Sequence, residues 1–278
     1  MSFKILITGA SGHLGSELMS ALQKTYKCEA INRNLLFNER KKDLFSFISK
    51  KSPDFIINCA AVVGLKKAQL NYKVAHEINS LLPKKLVELS KKKKFHLIQI
   101  STNSVFEGVK SINNRYENTN PKPQSTYGIT KFLGEKYVQS NIKNSTILRI
   151  SNLYSSKIQF KSNILNKIYS DIYKNNVTIK RNEIISPVST DSVVKAIKDI
   201  IINKAIGTFH CVDAGSCNWE SLIKLVSNAI NKRPKITNLT KKKINLRNST
   251  ISSKNTFSYY GEWKDGIHRA INKIKKLH

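Results

Sequence analysis

A tyrosine and a lysine four positions apart carry the clearest chemical signal in this chain. Tyr127 and Lys131 lie in a stretch that predicts a helix over 127–140, and residues i and i+4 share one face of a helix. A free phenol has a pKa near 10 and is a weak acid–base group at neutral pH. An ammonium about 4 Å away, at an effective dielectric near 20, favours the phenolate by about 4 kcal/mol and lowers the phenol pKa by up to about 3. The pair therefore predicts proton transfer.

Three glycines near the start of the chain predict a phosphate-binding turn. The spacing Gly-x-x-Gly-x-x-Gly runs from Gly9 to Gly15, directly after an apolar run at Lys4–Thr8 that predicts a buried strand. Apolar residues then recur at helical spacing from Leu14 to Leu22. Glycine lets the backbone approach a pyrophosphate, which the helix N-terminus attracts, so this order predicts dinucleotide binding. The residues expected to contact the dinucleotide here are Gly9, Ser11, Gly12, His13, Leu14 and Gly15.

The second predicted strand, 28–32, ends without a carboxylate. An Asp or Glu at this point binds the ribose 2′-hydroxyl in NAD sites, whereas this chain has Asn32 and Arg33. A guanidinium attracts a 2′-phosphate and can bind it through two hydrogen bonds. NADP(H) is therefore the favoured cofactor, with NAD(H) kept open, and the alternative for Arg33 is an ordinary surface role.

Alternating strands and helices must position these groups. Strands are predicted at 4–8, 28–32, 55–58, 96–100 and 146–150, with helices at 14–22, 44–50, 72–91 and 127–140. Asp43 is expected to cap the second helix, and Pro83 to kink or restart the third. The alternation predicts an α/β fold of Rossmann type, with a doubly wound parallel sheet covered on both faces.

The pattern changes after the fifth strand, which predicts two domains. Residues 1–155 are expected to form the NADP-binding Rossmann domain, with a return contribution from 185–213, and residues 156–278 mainly a smaller C-terminal substrate-binding lobe. In this part, helices are predicted near 160–173, 191–203, 219–230 and 262–277, and strands near 177–180 and 208–212. The polar segment 107–126 is too long for a simple connector and is predicted to be functional.

Charge and composition exclude some classes of function. The 278 residues include 48 Lys and Arg against 18 Asp and Glu, a formal charge of +30. Most of this charge is lysine spread along the chain, without the arginines or interleaved aromatics of a base-reading surface, so nucleic-acid binding is not expected. No apolar run reaches the roughly 20 residues of a membrane span, and no signal-peptide pattern is present. We expect a cytoplasmic protein without a metal site, since no Cys or His spacing matches one.

In these motifs the chain resembles the extended, sugar-nucleotide branch of the short-chain dehydrogenase/reductase superfamily, and within it the dTDP-4-dehydrorhamnose reductase family. The similar stretches are 7–15, 53–61, 100–108, 121–123 before Tyr127, and 148–154. The resemblance implies NADPH-dependent reduction of the keto group of a nucleotide-linked 4-keto-6-deoxy sugar, as in dTDP-rhamnose and polysaccharide biosynthesis. A homodimer is left open.

The resemblance also implies roles for individual residues. Tyr127 would donate a proton to the sugar carbonyl, Thr102 would hydrogen-bond the same oxygen, and Lys131 would hold the nicotinamide ribose and lower the Tyr127 pKa. Further cofactor contacts are implied for Asp43, Leu44, Ala60, Ala61 and Val62, and substrate contacts for Ser101, Thr102, Asn103 and Asn152.

Two residues depart from the family pattern and leave alternatives open. The reductases have Asp-Tyr after the threonine, whereas this chain has Asn103 and Ser104. The segment 101–105 is therefore also similar to the Ser-rich segment of sugar 4-epimerases. A non-catalytic NADP-binding regulatory subunit is a third reading. A 4,6-dehydratase is disfavoured, because Asn103 and Ser104 supply neither the acid nor the base that elimination of water requires.

Overall fold

The structure is a computed structural model that describes residues 2–37, 41–109, 115–140, 142–179, 183–238, 247–248, 250–252 and 259–276. The chain forms two compact units. The first comprises Met1–Gly108, Pro121–Arg149 and Val194–Phe209, and the second comprises Val109–Asn120, Ile150–Val193 and His210–His278. The division predicted after residue 155 stays a prediction; the compact units divide the chain after Arg149 and include 109–120 in the second unit.

Strands and helices alternate from the start of the chain. The strands are β1 (Lys4–Thr8), β2 (Lys27–Ile31), β3 (Phe55–Asn58), β4 (His96–Thr102) and β5 (Ser145–Ile150). The helices are α1 (His13–Leu22), α2 (Arg33–Phe37), α3 (Lys41–Lys51), α4 (Leu65–Leu70), α5 (Tyr72–His76), α6 (Leu82–Lys93) and α7 (Thr126–Gln139). A π-helical turn at Glu77–Leu81 joins α5 to α6, and a 3-10 turn at Asn103–Phe106 follows β4.

Shorter elements follow β5. The strands are β6 (Asn152–Tyr154), β7 (Val177–Ile179), β8 (Glu183–Ile185), β9 (Pro187–Ser189), β10 (Gly207–Ala214), β11 (Cys217–Asn218), β12 (Ile236–Asn238), β13 (Arg247–Asn248) and β14 (Tyr259–Glu262). The helices are α8 (Ile164–Tyr173), α9 (Thr190–Asn203), α10 (Trp219–Ala229) and α11 (Trp263–Lys275). Three small sheets have the orders β11-β8-β13, β12-β7 and β6-β9.

One sheet of seven strands has the order β14-β10-β5-β4-β3-β1-β2. Strands β2, β1, β3 and β4 run parallel. The chain passes from β1 to β2 on one side and then to β3 on the other, so the order reverses between β1 and β3. Ligands of open α/β sheets bind outside the carboxyl ends of the strands at such a switch point. The predicted Rossmann-type parallel sheet is confirmed.

Buried apolar runs explain why these segments form the central strands. All four side chains of β3 are buried, and Ile5 and Ile7 of β1 have no exposed surface. Continuous apolar strands are typical of parallel sheets that are covered on both faces. On one side of the sheet, Leu44 and Ile48 of α3 pack into the same core cluster as Ile56. This core fixes the carboxyl ends of β1 and β3, where the polar residues begin.

In the second unit, a buried carboxylate joins three strand ends. Asp213 of β10 accepts hydrogen bonds from the Tyr154 hydroxyl at 2.9 Å and from the Ser189 backbone N–H at 3.0 Å. The Tyr154 hydroxyl also lies 3.3 Å from the carbonyl oxygen of Trp263, the first residue of α11. Burial raises the pKa of Asp213, and hydrogen bonds from Ser192 and Tyr154 oppose that rise. These hydrogen bonds connect β6, β9 and β10 within the second unit.

Some elements differ from the sequence predictions. The helix expected over 72–91 is divided, and helical structure already begins with α4 at Leu65. Pro83 lies in the first turn of α6, where the missing N–H of proline costs no helical hydrogen bond. Asp43 lies in the first turn of α3 and is not its N-cap, because α3 begins at Lys41. The helix α2 and most of the two- and three-residue strands were missed. Among the described residues, no helix is long and apolar enough to cross a membrane.

Candidate active site

The glycine turn connects the carboxyl end of β1 to α1. Gly9 has a φ of +64°, and a Cβ there would lie 2.8 Å from the backbone nitrogen of Ala60. A Cβ on Gly15 would lie 2.1 Å from the Gly9 carbonyl oxygen. Gly12 is the N-cap of α1 and provides no side-chain hydrogen bond. The first-turn amides of α1 thus lack a side-chain cap, and such a helix end binds phosphate.

A cavity of about 730 Å³ lies at the switch point between β1 and β3. Its wall combines the glycine turn, the end of β2, the loop after β3, and α4, α5 and the π-helical turn. The lining residues are Gly9, Ala10, Ser11, Gly12, Ala30, Ile31, Asn32, Arg33, Leu36, Cys59, Ala60, Ala61, Val62, Lys67, Asn71, Val74 and Ile78. Among these described residues, Arg33 and Lys67 are cations and none is a carboxylate. The size is in the range of small-molecule sites, and the charge suits an anion.

Eight of the predicted cofactor residues line this cavity: Gly9, Ser11, Gly12, Asn32, Arg33, Ala60, Ala61 and Val62. Seven others are not among its lining residues, and their direct cofactor contacts stay predictions: His13, Leu14, Gly15, Asp43, Leu44, Tyr127 and Lys131. Leu44 is fully buried in the core cluster that also contains Leu36. Lys67 and Asn71 were missed because the helix was expected to begin only at residue 72. Val74 and Ile78 lie within the predicted helix, where apolar residues give no sign that they line a cavity.

A chain of buried hydrogen bonds crosses β1, β3 and β4 near their carboxyl ends. The Thr8 hydroxyl accepts from the Ala60 N–H at 3.2 Å and donates to Asn58 Oδ1 at 2.5 Å. Asn58 Nδ2 donates to Gln99 Oε1 at 2.7 Å, and Gln99 Nε2 donates to the Ile100 carbonyl oxygen at 2.8 Å. Buried polar groups of this kind are costly unless they are paired. Here they connect the loop after β3, residues 59–64, to the end of β4; this loop is called the cofactor loop below.

The Lys131 ammonium reaches the same carbonyl from α7. Lys131 is 4% exposed, and its Nζ donates to the Ile100 carbonyl oxygen at 2.6 Å. Burial lowers the pKa of Lys131 to about 8, while the negative charge of Glu135 partly opposes this effect. The side chain is therefore still mostly protonated at neutral pH, and its charge is lost as the pH rises through 8.

Tyr127 lies in the first turn of α7, and its phenol faces the Thr102 side chain, whose hydroxyl can donate a hydrogen bond to the phenolate. Thr102 is the last residue of β4; its Oγ1 also accepts from the Ser104 N–H at 3.2 Å and contacts Asn103 Oδ1 at 3.3 Å. The half-buried Tyr127 ring packs on a small apolar cluster that includes Val62. The helix α7 thus brings Tyr127 to Thr102 and Lys131 to Ile100, two residues apart on one strand.

The pKa of Tyr127 is raised to about 12, which contradicts the prediction that Lys131 lowers it. Burial of the phenol is the largest cause, the Thr102 hydrogen bond opposes it, and the Glu107 carboxylate adds to it. The ammonium of Lys131 is bonded to the Ile100 carbonyl oxygen and does not pair with the phenol. The sequence predicts that the two side chains meet, because they lie four residues apart on one helix. In the structure, the Lys131 ammonium donates instead to a backbone carbonyl near the end of β4. At neutral pH the phenol is protonated, which is the form that can donate a proton.

The predicted substrate residues occupy different places. Ser101 is buried beside Thr102, and its Oγ has no hydrogen-bond partner within the described part of the chain. Asn103 begins the 3-10 turn after β4. Asn152 begins β6 in the second unit, where its Oδ1 accepts from the Ser151 hydroxyl at 3.0 Å. The structure brings Ser101, Thr102 and Asn103 to the end of β4, and a substrate contact of Asn152 stays a prediction.

Asn79 in the π-helical turn is a site residue that sequence reasoning missed. Its Oδ1 accepts from the Val62 N–H at 2.9 Å, and its Nδ2 lies 3.2 Å from the Val62 carbonyl oxygen and 3.1 Å from Thr130 Oγ1. A Cβ on Gly134 would lie 2.3 Å from the Asn79 carbonyl oxygen, so α7 packs directly against this turn. Asn79 therefore holds the cofactor loop to the helix that carries Tyr127. A single Asn in a helical pattern gives no sequence signal for such a role.

Comparison with known proteins gives consistent matches along the chain. The family model described as "RmlD substrate binding domain" matches residues 3–275. The spore coat polysaccharide biosynthesis protein SpsK of Bacillus subtilis is 26% identical over 218 residues, which are 78% of this chain and 75% of that protein. The dTDP-4-keto-6-deoxy-D-glucose reductase of Streptomyces niveus is 26% identical over 228 residues, which are 81% and 78% of the two chains. The structure of a dTDP-4-dehydrorhamnose reductase from Bacillus anthracis, in complex with NADP, has a TM-score of 0.89 and 24% identity and covers 98% of this chain and 100% of that one.

Proposed function

Because this chain belongs to the RmlD substrate binding domain family, we propose that it uses NADPH to reduce the keto group of a nucleotide-linked 4-keto-6-deoxy sugar. It is an oxidoreductase of the extended short-chain dehydrogenase/reductase kind. The observation that carries the proposal is the position of the Tyr127 phenol beside the hydroxyl of Thr102, the last residue of β4, at the carboxyl edge of the sheet. The name of the Streptomyces niveus relative supports the substrate class, and the NADP in the Bacillus anthracis structure supports the cofactor.

The residues at the switch point fit a dinucleotide. Gly9 and Gly15 leave the space that side chains would fill, and the uncapped start of α1 can bind the pyrophosphate. Apolar residues of the cavity wall suit an adenine ring, and Arg33 and Lys67 suit a 2′-phosphate. A carboxylate at the end of β2 would repel that phosphate, and Asn32 and Arg33 stand there instead.

Protein groups supply and position the proton. The bound cofactor would supply the hydride. The Tyr127 hydroxyl donates its proton to the sugar oxygen as the carbonyl becomes an alcohol, and the Thr102 hydroxyl orients the same oxygen by a hydrogen bond. Lys131 would hold a ribose hydroxyl of the bound cofactor and would contribute positive charge near the developing oxyanion. After one turnover, the phenol recovers a proton from solvent.

The decisive experiment is a reductase assay on a panel of dTDP-, UDP- and GDP-linked 4-keto-6-deoxy sugars. Loss of the reduced-nicotinamide absorbance should be matched by an equal amount of reduced sugar, identified by mass spectrometry. No turnover on any member, together with a stable complex with another enzyme, would support a regulatory subunit and reject the proposal.

A 4-epimerase is the second candidate, and Asn103 and Ser104 after Thr102 favour it, because they depart from the Asp-Tyr pair of the reductases. An epimerase keeps its nicotinamide through a whole turnover, so it would purify with tightly bound cofactor and consume no NADPH. The same panel, followed by sugar analysis, separates the two reactions.

Replacing Arg33 should weaken the binding of NADPH but not that of NADH. The exposed guanidinium lies at the cavity, where loss of a hydrogen bond to a charged group costs about 1.5–3 kcal/mol. Arg33→Met is therefore expected to raise the NADPH KM by roughly 10- to 100-fold and to leave the NADH KM nearly unchanged. Arg233→Met is the matched control, since Arg233 is exposed and does not line the cavity. Equal changes for both cofactors would argue against a 2′-phosphate contact.

A homodimer is the proposed assembly, supported by exposed apolar side chains close in sequence on α4, α5 and their flanks. These residues are Val63, Leu65, Leu70, Tyr72, Val74 and Leu81. Leu70 is 73% exposed, and apolar surface of this kind is typical of interfaces. Sedimentation velocity should show a dimer that Leu70→Glu converts to a monomer, whereas Ile202→Glu, at another exposed apolar residue, should not. A monomeric parent protein would contradict the assembly.

A further inference from the structure

Glu107 makes three hydrogen bonds at the start of the helix that carries Tyr127. Its Oε2 accepts from the Ser125 backbone N–H at 2.6 Å and from the Gln124 backbone N–H at 3.2 Å. Its Oε1 accepts from the Ser125 hydroxyl at 2.8 Å. Hydrogen bonds to a carboxylate are roughly twice as strong as neutral ones. The carboxylate therefore holds both the backbone and the side chain of Ser125.

Ser125 transmits this constraint to the helix. It is the N-cap of α7, and its Oγ accepts from the Gly128 N–H at 3.0 Å. One hydroxyl thus donates to Glu107 and accepts from the first turn of α7. Tyr127 lies within that turn, two residues after the cap. A shift of Ser125 would move the Tyr127 backbone with it.

The segment that contains Glu107 also contains Thr102, the partner of Tyr127. Two backbone hydrogen bonds join this segment to the residues before α7: Lys122 N–H to the Val105 carbonyl oxygen at 2.8 Å, and Gly108 N–H to the Lys122 carbonyl oxygen at 2.7 Å. A Cβ on Gly128 would lie 2.6 Å from the Ser104 carbonyl oxygen, so α7 touches the 3-10 turn directly. The carboxylate thus closes a short loop of contacts around the Thr102–Tyr127 pair.

Glu107 also influences the protonation of the phenol. Its negative charge disfavours the phenolate and so adds to the high pKa of Tyr127, while the Thr102 hydrogen bond opposes this. The Lys131 ammonium on the same helix donates to the Ile100 carbonyl oxygen. The cluster that packs on the Tyr127 ring is apolar. It comes from the cofactor loop, α4, α5 and the π-helical turn and consists of Val62, Ala68, Ala75 and Ile78.

We propose that Glu107 is a positioning residue of the reaction: it fixes the N-terminus of α7 so that the Tyr127 hydroxyl meets Thr102, and it keeps a negative charge near the phenol. The proposal rests on the proposed function for its kinetic consequences. Its geometric part concerns this chain's own residues and can be tested without turnover.

Two substitutions separate position from charge. Glu107→Gln keeps an oxygen for the Ser125 N–H and an amide that can donate to the Ser125 hydroxyl, but removes the charge. Glu107→Ala removes both. Because misplacing a reacting group by about 1 Å can cost 10²-fold in rate, Glu107→Ala should lower kcat by up to about 100-fold with little change in the NADPH KM, and Glu107→Gln should retain most of kcat. Glu88→Gln, at an exposed glutamate on α6, is the control.

The pH dependence gives a readout that a merely structural role would not change. Reduction requires the protonated phenol, so activity is lost as the pH rises through the Tyr127 pKa. The Glu107 charge raises this pKa, so Glu107→Gln should move the loss of activity to lower pH. Difluorotyrosine at position 127, followed by fluorine NMR, should show the same displacement in Glu107→Gln with no substrate present. This titration remains valid if the reductase assay fails, and it remains available if Glu107→Ala does not fold.

An unchanged fluorine titration in Glu107→Gln would overturn the charge part of the proposal. A folded Glu107→Ala variant with the parent kcat would overturn the positioning part. If both variants lost kcat and thermal stability together, and the fluorine titration of Tyr127 were not displaced, Glu107 would contribute to the fold alone. That result would reject the proposal.

Discussion

Tyr127→Phe is expected to lower kcat for sugar reduction by roughly 10²–10⁴-fold, which is the range for losing a general acid. The phenylalanine ring keeps the packing on the apolar cluster around Val62, so NADPH binding should stay close to that of the parent. A loss confined to kcat indicates an interaction made in the transition state. Steady-state kinetics with the sugar from the panel, together with an NADPH titration by fluorescence, measure the two quantities.

The stability of this variant should be nearly unchanged. Removing the phenol leaves the Thr102 hydroxyl with the Ser104 N–H and the Asn103 side chain as partners, so no buried group loses its last hydrogen bond. Tyr137→Phe is the matched control, because Tyr137 lies on the same helix α7. If Tyr127→Phe reduced the sugar as fast as the parent and as Tyr137→Phe, Tyr127 would not be the proton donor.

The strands of the Rossmann sheet could be predicted because burial on both faces leaves a local trace. Residues 55–58 are apolar up to a terminal Asn, and β3 occupies those positions. The glycine turn was predictable for a similar reason, since only glycine has room at the Gly9 and Gly15 positions. In both cases the physical requirement acts on a few consecutive residues, so the sequence records it directly.

The protonation of the site could not be predicted in this way. The spacing of Tyr127 and Lys131 correctly places both on one helix, but the partner of the ammonium is the Ile100 carbonyl oxygen of another element. The same holds for Asn79, whose partners Val62 and Thr130 are brought together only by the packing of three segments. Short strands such as β8 pair over two residues each with β11 and β13, which is too few for a periodic pattern.

Lys131→Met is expected to impair the enzyme and to stabilise the fold. The pKa of Lys131 falls from 10.5 to about 8 on folding, mainly through burial, so the folded state disfavours the charged form by up to about 3 kcal/mol at neutral pH. Methionine has a similar length and no charge to bury. The Ile100 carbonyl oxygen retains the hydrogen bond from Gln99, and Glu135 retains its pair of bonds from Arg149. Thermal or urea unfolding at neutral pH should therefore show a gain of about 1–3 kcal/mol.

The pH dependence of this gain has a definite sign. Between pH 8 and 10.5 the unfolded parent chain holds the Lys131 proton and the folded chain does not, so parent stability from this group rises with pH across that window. Lys131→Met lacks this contribution and should lose its advantage over the parent by the upper end of the window. In the same variant, loss of a charged hydrogen bond to the ribose should weaken NADPH binding by about 10- to 100-fold.

The control for both measurements is Lys136→Met, which removes an exposed ammonium from the same helix and should change neither quantity. In the parent, NADPH affinity should decline as pH rises through about 8, where Lys131 loses its charge, and in Lys131→Met this decline should be absent. A less stable Lys131→Met protein, or one whose NADPH affinity still declines near pH 8, would mean that the buried ammonium is a structural ion and that another group binds the ribose. A more stable protein with weak NADPH binding would show that this chain gives up fold stability to keep a cation at its cofactor site.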